Sequence, residues 1–259
     1  MKVTILQRDI EWANPAVNVK RADEAIDRNP GADLYVLPEM FSTGFCTEPA
    51  GIAESSDSDT LHWMKEKAAA IDAAIAGSIA VTKDGKYYNR FYFVKPDGEV
   101  TWYDKKHLFT YGGEHKRFTA GTERVVVEWR GVRILLEVCY DLRFPVWSRN
   151  HGDYDMILYV ASWPTPRVEA WSALLVARAI ENQCYVAGVN RVGYDPACDY
   201  CGGSVIIDPY GKMIAACAHG EECEASAEID MERLIEFKRK FPVLRDADKF
   251  NLNKEDKTI

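Results

Sequence analysis

Positive charge and long apolar runs are the two features that this sequence lacks most clearly. Of its 259 residues, 32 are Lys or Arg and 40 are Asp or Glu, which gives a formal net charge of −8. Because phosphate binding requires a cluster of basic side chains, we expect no nucleic-acid partner. No apolar run approaches the roughly 20 residues that a membrane-spanning helix needs, so we expect no membrane partner either.

Cysteine and histidine are present but form no recognisable framework. Seven cysteines without regular spacing are typical of a reduced cytoplasmic protein rather than of a disulfide scaffold. The N-terminal stretch MKVTILQRDIEW is too charged for a signal peptide, so we expect a cytoplasmic location. Cys198 and Cys201 form one CxxC pair, which we interpret as two incidental thiols in a loop. Zinc or redox chemistry there is the less favoured alternative, because a zinc site needs a second pair or spaced histidines.

Alternating strands and helices make up most of the chain. Buried strands are predicted at KVTILQ, DLYVLPEM and VRILLEVC among others, and KDGK and PDGE indicate hairpins. Asn14 and Pro15 occupy the cap and first-turn positions of a helix between the first two strands. Further helices are predicted at Thr60–Ile71, Val168–Asn182 and Met231–Lys240. With no linker or internal repeat, residues 1–259 are expected to form one layered α/β domain with mixed strands.

The stretch RILLEVCYDLRFP, from Arg133 to Pro145, contains the first catalytic candidate. An apolar strand ends near Cys139, and LRFPVWSRN can begin a turn or helix directly after Asp141. A nucleophile at such a strand-to-helix turn exposes its side chain and lies beside a backbone N–H that can bind an oxyanion. The alternative is a buried structural cysteine, which is the more common fate of a free thiol.

No nearby side chain is an obvious base for Cys139. Glu137 lies two residues back on the strand, roughly 6.6 Å away between Cα atoms. Asp141 is expected to cap the following backbone or to form an ion pair with Arg143 that orients the turn. A histidine is the usual partner of a catalytic cysteine. The chain has five histidines, and none of them lies in a local catalytic pattern: His62, His107, His115, His151 and His219.

Two further strand ends carry polar candidates. LPEMFSTGF places Glu39 just past one strand, and YDKKHLF places Lys105 at the end of another. Their order with Cys139 resembles the nitrilase (carbon–nitrogen hydrolase) superfamily, and the chain is most similar to its bacterial ω-amidase branch. The resemblance runs nearly end to end, through LPEMF, GSIA, NRF, YDKKHLF, GEHKRFTAG, VCYDLRFPVWSRN, ARAIENQ, GVNRVG, IDPYGK and EFKRKFP.

The resemblance implies a role for each candidate. Glu39 would be the general base, Lys105 the cation that stabilises an oxyanion, and Cys139 the nucleophile. Glu114 matches a second glutamate that stands beside the catalytic lysine in the family. The backbone N–H of Tyr140 would assist at the oxyanion. Neither a metal nor an organic cofactor is required by this chemistry.

The resemblance also implies the architecture. Residues 1–259 would form a four-layer αββα sandwich, with mixed sheets inside and helices on the outer faces. A homodimer or higher homo-oligomer is expected, and the C-terminal segment, about 242–259, would pack on a partner subunit. With Glu39 as the base, Glu137 becomes a bystander.

The ω-amidase branch implies a short ω-monoamide with a distal carboxylate, of the 2-oxoglutaramate type, as the small-molecule substrate. A net negative protein needs a local cationic anchor for such an anion, and Arg143, Arg167 and Arg191 follow predicted strand ends. Trp163 is expected to line the pocket, with a place in the hydrophobic core as the alternative, and Ser162 stands where close relatives tend to have Asn. The alternatives are hydrolysis of N-carbamoyl amino acids or nitriles by the same residues, or a catalytically silent scaffold protein.

Overall fold

The structure is a computed structural model that describes residues 1–252. Within this range the chain forms four α-helices and fifteen strands. The helices are α1 (Pro15–Arg28), α2 (Asp59–Ile71), α3 (Val168–Asn182) and α4 (Met231–Lys240). The strands are β1 (Lys2–Gln7), β2 (Leu34–Val36), β3 (Glu54–Ser55), β4 (Ala74–Lys83), β5 (Lys86–Val94), β6 (Val100–Asp104), β7 (Val126–Trp129), β8 (Val132–Val138), β9 (Met156–Ala161), β10 (Tyr185–Asn190), β11 (Val192–Tyr194), β12 (Asp199–Cys201), β13 (Val205–Ile207), β14 (Met213–Ala216) and β15 (Cys223–Glu228).

Two large mixed sheets form the centre of the molecule. Sheet I has the strand order β15-β1-β2-β4-β5-β6, with β3 beside β4, and sheet II has the order β14-β13-β10-β9-β8-β7. The short strands β11 and β12 pair separately. Helices α1 and α2 pack on sheet I, and α3 packs on sheet II. The predicted αββα sandwich is therefore confirmed.

The apolar runs of the central strands arise because both faces of each sheet are buried. In β9, Met156, Leu158 and Val160 belong to the core between the two sheets. The alternate residues Ile157 and Tyr159 belong to the core beneath α3. Since successive side chains of a strand point to opposite faces, such a strand has no polar face and reads as a continuous apolar run.

The predicted helix boundaries agree closely with the structure. The Asn14 side chain accepts a hydrogen bond from the N–H of Val17, and Pro15 opens α1, as expected. Helices α3 and α4 have the predicted bounds, and α2 begins one residue earlier than predicted. The strand predicted at DLYVLPEM is shorter than expected, because pairing ends at Val36. No helix within residues 1–252 is both long and apolar enough to cross a bilayer.

The topology brings the ends of several strands to one edge. In sheet I, β1, β2 and β4 are parallel, and two antiparallel pairings, β4 with β5 and β5 with β6, turn β6 back into the same direction. In sheet II, β8, β9 and β10 are parallel. The segments after β2, β6 and β8 carry Glu39, Lys105 and Cys139. Ligand sites in open α/β sheets lie at such carboxyl ends.

The C-terminal segment is described only in part, because residues 253–259 of the predicted 242–259 segment lie outside the described residues. The side-chain amide of Gln183 donates to the carbonyl of Phe241 at 2.7 Å. Farther on, the ring of Phe250 lies 5.4 Å from that of His151 between centroids. Packing of this segment on a partner subunit stays a prediction.

Candidate active site

A cavity of about 630 Å³ opens at this edge of the sheets, and Cys139 lies in its wall. Much of the lining is aromatic, and two arginines add positive charge. The cavity walls include Phe45, Phe109, Tyr140, Trp163, Arg143 and Arg167. A mostly apolar cavity of this size, with a few polar groups, is typical of a small-molecule site.

Cys139 occupies a sharp turn between a strand and a short helix. Strand β8 ends at Val138, and Cys139–Arg143 form a 3-10 helix. The φ angle of Cys139 is +46°, a left-handed conformation that is uncommon for a non-glycine residue and concentrated at functional sites. Tyr140 is the second residue of this helix, so its N–H has no acceptor within the helix. A backbone donor therefore lies next to the thiol.

Asp141 joins this turn to the segment that follows β6. Its carboxylate accepts hydrogen bonds from the backbone N–H of Val138 at 3.0 Å and of His107 at 2.8 Å, and from the hydroxyl of Tyr103 at 2.8 Å. Nδ1 of His107 lies 2.7 Å from the same carboxylate. The predicted ion pair between Asp141 and Arg143 is wrong, because the fully buried carboxylate is turned inward to these donors.

Lys105 is a fully buried ammonium between two fully buried carboxylates. Its Nζ lies 2.9 Å from Oε1 of Glu39, and 3.2 and 3.0 Å from the two oxygens of Glu114. Burial favours the neutral amine, but the negative charges of Glu114 and Glu39 outweigh it, so the pKa of Lys105 lies above its ordinary value. The Lys105 ammonium has three N–H donors. One can serve both oxygens of Glu114 and a second can serve Glu39, which leaves the third for a substrate oxygen.

Glu39 has two further hydrogen-bond donors that the sequence analysis did not assign. The side-chain amide of Asn89 donates to Oε1 at 2.7 Å, and the backbone N–H of Ser162 donates to Oε2 at 2.8 Å. Asn89 belongs to the NRF motif, for which the sequence predicts no individual role. Ser162 stands where close relatives tend to have Asn, yet its contact to Oε2 is made by the main chain and does not depend on side-chain identity.

Burial sets the protonation of the thiol and of the second glutamate. Burial and the charge of Glu39 raise the pKa of Cys139 well above its ordinary value, although Lys105 opposes them. Burial also raises the pKa of Glu114, where Lys105 opposes it and Glu39 adds to it. Cys139 is thus a thiol at neutral pH, and any reaction through its thiolate would require a base. The Glu39 carboxylate faces it.

Glu137 does not line the cavity. It is fully buried, and within residues 1–252 neither of its carboxyl oxygens has a hydrogen-bond partner. Burial and the charge of Asp141 raise its pKa well above the ordinary value, whereas Arg124 and Arg178 act in the opposite direction. A carboxyl that lies outside the cavity and has no contact with Cys139 is a poor candidate for its base.

The three candidate arginines differ in their environment. Arg191 is fully buried, and its guanidinium donates to the carbonyls of Ile10 and Val192 at 3.0 and 3.2 Å. Arg143 and Arg167 line the cavity instead, and neither has a carboxylate partner among residues 1–252. Two guanidinium groups are therefore available to an anionic ligand, and Arg191 is not.

Aromatic rings hold these two guanidinium groups in place. Cζ of Arg143 lies 4.9 Å from the ring centroid of Trp163, and Cζ of Arg167 lies 5.5 Å from that of Phe109. Nε1 of Trp163 also donates to the carbonyl of Arg167 at 2.7 Å. Trp163 thus forms part of the cavity wall and contacts both arginines.

The CxxC pair does not stand out as a metal site. Cys198 lies in the cavity wall, Cys201 lies in β12, and both thiols are free. Within residues 1–252 no group of three or more His, Cys, Asp or Glu side chains is arranged to hold a metal ion.

Together these groups can transfer an acyl group. A thiol, a carboxylate facing it, a buried ammonium and a backbone N–H with no acceptor in its own helix meet at one wall of the cavity. The carboxylate can accept a proton, the sulfur can attack a carbonyl carbon, and the ammonium and N–H can bind the oxygen that becomes negative.

Known proteins resemble this chain over nearly its whole length. A family model described as carbon-nitrogen hydrolase matches residues 2–239. The chain is 49% identical over 253 residues to the omega-amidase YafV of Escherichia coli (strain K12), with 97% of this chain and 98% of that protein covered. It is 39% identical over 259 residues to the 2-oxoglutaramate amidase of Bacillus subtilis (strain 168), with 96% and 99% covered.

Solved structures show the same architecture. XC1258 from Xanthomonas campestris, a CN-hydrolase superfamily protein with an arsenic adduct in its active site, matches with a TM-score of 0.95 at 40% identity. The match covers 98% of this chain and 99% of XC1258. Nit3 from Saccharomyces cerevisiae, a nitrilase superfamily member, matches with a TM-score of 0.85 at 24% identity and bears on the fold alone.

We expect Glu137→Gln to stabilise the protein increasingly as the pH rises. In the unfolded chain this carboxyl ionises above a pKa of about 4.3, whereas in the folded state its pKa is raised. The folded state therefore binds the extra proton between these two values, and wild-type stability falls as pH rises toward the folded pKa. Glutamine has no proton to lose, so the difference between variant and wild type should widen between pH 5 and pH 8.

Chemical denaturation at the two pH values measures this difference. Glu128→Gln, at an exposed position on the adjacent strand β7, is the matched control and should show no comparable widening. A constant difference for Glu137→Gln would show that Glu137 is already ionised in the folded state.

Proposed function

Because the chain belongs to the carbon–nitrogen hydrolase family, we propose that it is an ω-amidase, which hydrolyses the terminal amide of a short ω-monoamide to an acid and ammonia. The observation that carries this proposal is the buried Lys105 ammonium, bonded to Glu39 and Glu114 beside the Cys139 thiol. The omega-amidase and 2-oxoglutaramate amidase relatives support the reaction and the substrate class.

In the first half-reaction, Glu39 accepts the proton of the Cys139 thiol as sulfur bonds to the amide carbon. The carbonyl electron pair moves to oxygen, where Lys105 and the N–H of Tyr140 stabilise the negative charge. Collapse of this intermediate breaks the C–N bond. Glu39 then returns its proton to the departing nitrogen, so ammonia leaves and a thioester remains on Cys139.

In the second half-reaction, Glu39 accepts a proton from water as the water oxygen attacks the thioester. The same two donors stabilise a second oxyanion. When it collapses, the C–S bond breaks, the carboxylic acid is released, and the sulfur recovers a proton from Glu39. Glu39 therefore acts as base and acid in both halves, while Glu114 offsets the positive charge of Lys105.

The charge of the cavity supports an anionic substrate. Two acidic side chains line it, and both have partners: Glu48 pairs with Arg117, and Asp195 accepts hydrogen bonds from the hydroxyl of Tyr200 and nearby N–H groups. Arg143 and Arg167 lack carboxylate partners within residues 1–252, so a substrate carboxylate would bind to them. We propose these two arginines as the anchor, with Trp163 as the wall between them.

The oxyanion donors favour amides over nitriles. Lys105 and the N–H of Tyr140 are suited to a developing negative oxygen, whereas a nitrile develops charge on nitrogen and needs a proton delivered there. Hydrolysis of N-carbamoyl amino acids uses the same donors and stays the closest alternative. An ammonia-release assay across succinamate, 2-oxoglutaramate, N-carbamoyl amino acids and nitriles separates these activities from one another and from a silent scaffold.

We expect Cys139→Ala to abolish ammonia release from succinamate and 2-oxoglutaramate without unfolding the protein, because the sulfur forms the covalent intermediate. Cys46→Ala is the matched control, since burial raises the pKa of this neighbouring thiol to about 12 and it should remain unreactive. Mass spectrometry of acid-quenched wild type should find the acyl adduct on Cys139. An adduct on Cys46 would overturn the assignment.

We expect the distal carboxylate of the substrate to matter through Arg143 and Arg167. Converting succinamate to the neutral succinamide should lower kcat/KM by roughly 100-fold in wild type, the scale of one lost charge-assisted contact. Arg143→Gln and Arg167→Gln should lower it for succinamate but hardly for succinamide. Arg130→Gln, an exposed control outside the cavity, should change neither. Equal turnover of the two substrates by wild type would refute the ω-amidase assignment.

We also propose a homodimer formed through the outer face of sheet II. Large apolar side chains are exposed around α3, α4 and the turn after β13, and they include Ile180, Tyr210, Met213, Ile235 and Phe241. Gly211 lies against Ile180, and the ring of Tyr210 lies 4.0 Å from that of Phe237. Exposed apolar groups that are contiguous in this way favour burial against a second subunit.

We expect sedimentation equilibrium to give twice the chain mass of 29.3 kDa. Ile180→Glu should shift the equilibrium toward monomer, because it would place a charge in the apolar face. Trp102→Glu, at an exposed position on β6, is the control. A monomeric wild type at micromolar concentration would contradict the proposal.

We propose a cytoplasmic location as well. All seven cysteines are free, and they include the nucleophile candidate, which must stay reduced to react. A reducing compartment fits this requirement.

A further inference from the structure

Asn89 holds a position in β5 from which it reaches both carboxylates of the site. It is fully buried, and its side-chain nitrogen lies 2.7 Å from Oε1 of Glu39 and 3.2 Å from Oε1 of Glu114. Its backbone carbonyl accepts the N–H of Lys105 at 3.0 Å. One residue therefore contacts both charged carboxylates with its side chain and the main chain of Lys105 with its carbonyl.

The direction of the Asn89 amide is fixed by a second side chain. Its Oδ1 accepts a hydrogen bond from the hydroxyl of Ser78 at 2.9 Å, and that hydroxyl oxygen accepts the N–H of Met40 at 2.9 Å. Because the Ser78 hydroxyl oxygen already accepts a hydrogen bond from the N–H of Met40, its own proton is left to donate to Oδ1 of Asn89. The amide nitrogen then has to face the carboxylates. With the amide reversed, Oδ1 of Asn89 would face the oxygens of Glu39 and Glu114, and no hydrogen bond could form between them.

Charge explains why a neutral donor is needed here. Glu39 and Glu114 share the single positive charge of Lys105, so the cluster has one negative charge in excess when both carboxylates are ionised. Two buried carboxylates that share a site favour uptake of a proton by one of them. The N–H groups of Asn89 oppose this by stabilising both charged forms without adding a charge.

Apart from Asn89, the two carboxylates accept unequal numbers of hydrogen bonds. Glu114 accepts two contacts from Lys105 and the backbone N–H of Phe109 at 2.6 Å. Glu39 accepts one contact from Lys105 and the backbone N–H of Ser162. Without Asn89, Glu39 would keep fewer donors than Glu114, so its charged form would lose the larger share of its stabilisation.

We propose that Asn89, oriented by Ser78, is a positioning residue that keeps Glu39 in the ionised form and the orientation that a base for Cys139 requires. This inference rests on the proposed function for the role of Glu39. The charged or titratable groups that face Glu39 are Lys105, Glu114, Cys139 and Cys46, and each of them is left in place when Asn89 is changed.

The test compares wild type with Asn89→Leu, which keeps the approximate volume and removes both N–H donors. We expect kcat for succinamate to fall by roughly 10- to 100-fold, as for loss of a hydrogen bond to a charged group. The acidic limb of the kcat/KM profile should move to higher pH by about one unit or more. KM should change little, because Asn89 does not line the cavity.

A matched control separates positioning from general packing. Asn182→Leu removes another fully buried asparagine, whose amide oxygen accepts the N–H of Asn150, far from the charged cluster. It should lower thermal stability without moving the acidic limb. If Asn89→Leu lowers kcat with an unmoved limb, or leaves kcat within threefold of wild type, the proposal is overturned.

Two further measurements keep the test decisive. If Asn89→Leu does not fold, Ser78→Ala leaves both donors but releases the amide, and it should move the limb in the same direction by a smaller amount. An unmoved limb in that folded variant overturns the proposal.

Inactivation of Cys139 by iodoacetamide needs no amide substrate, and its pH profile should shift in the Asn89 variant. This shift survives a failed substrate assignment, so the two failures are distinguishable.

Discussion

The buried ammonium of Lys105 between Glu39 and Glu114 is the interaction on which the rest of the site depends. Removing these three charges from water has a large desolvation cost, which close contacts and additional hydrogen bonds must offset. Loss of one partner from such a buried pair typically costs about 3–5 kcal/mol, because the remaining charge is left uncompensated. The backbone N–H groups of Phe109 and Ser162 and the Asn89 amide supply these additional hydrogen bonds to the two carboxylates.

The two-sheet architecture supplies the rigidity that this cluster needs. Glu39 and Lys105 follow strands of sheet I, whereas Cys139 and Ser162 follow strands of sheet II. The core between the sheets fixes their separation, so the carboxylate of one sheet meets the thiol and backbone N–H of the other. Asp141 adds a local connection, because it accepts hydrogen bonds from both the Cys139 turn and the Lys105 segment. The proposed reaction is thus placed at the edge where the carboxyl ends of strands from both sheets lie side by side.

Local patterns in the sequence were sufficient for the helices and for most strands, because caps, hairpin turns and apolar runs act between near neighbours. The predictions made for Asn14 and Pro15 at the start of α1 are examples. The donors around Glu39 could not be found in this way, since Asn89 and Ser162 lie 50 and 123 positions along the chain from it. The ion pair predicted between Asp141 and Arg143 is wrong for the same reason. The nearby Arg143 was an apparent partner, but the actual donors are brought in by folding.

In the proposed mechanism, the protonation of the thiol explains why one glutamate would serve both half-reactions. Burial and Glu39 raise the pKa of Cys139, so the resting site holds a neutral thiol rather than a thiolate. A neutral thiol has no charge to stabilise before substrate arrives, and Lys105 can keep its contacts with Glu39 and Glu114. In the proposed proton transfer Glu39 becomes neutral, and its attraction for Lys105 weakens. The ammonium is then freer to turn toward the oxygen that becomes negative in the same step, so proton transfer and oxyanion stabilisation are coupled through one contact.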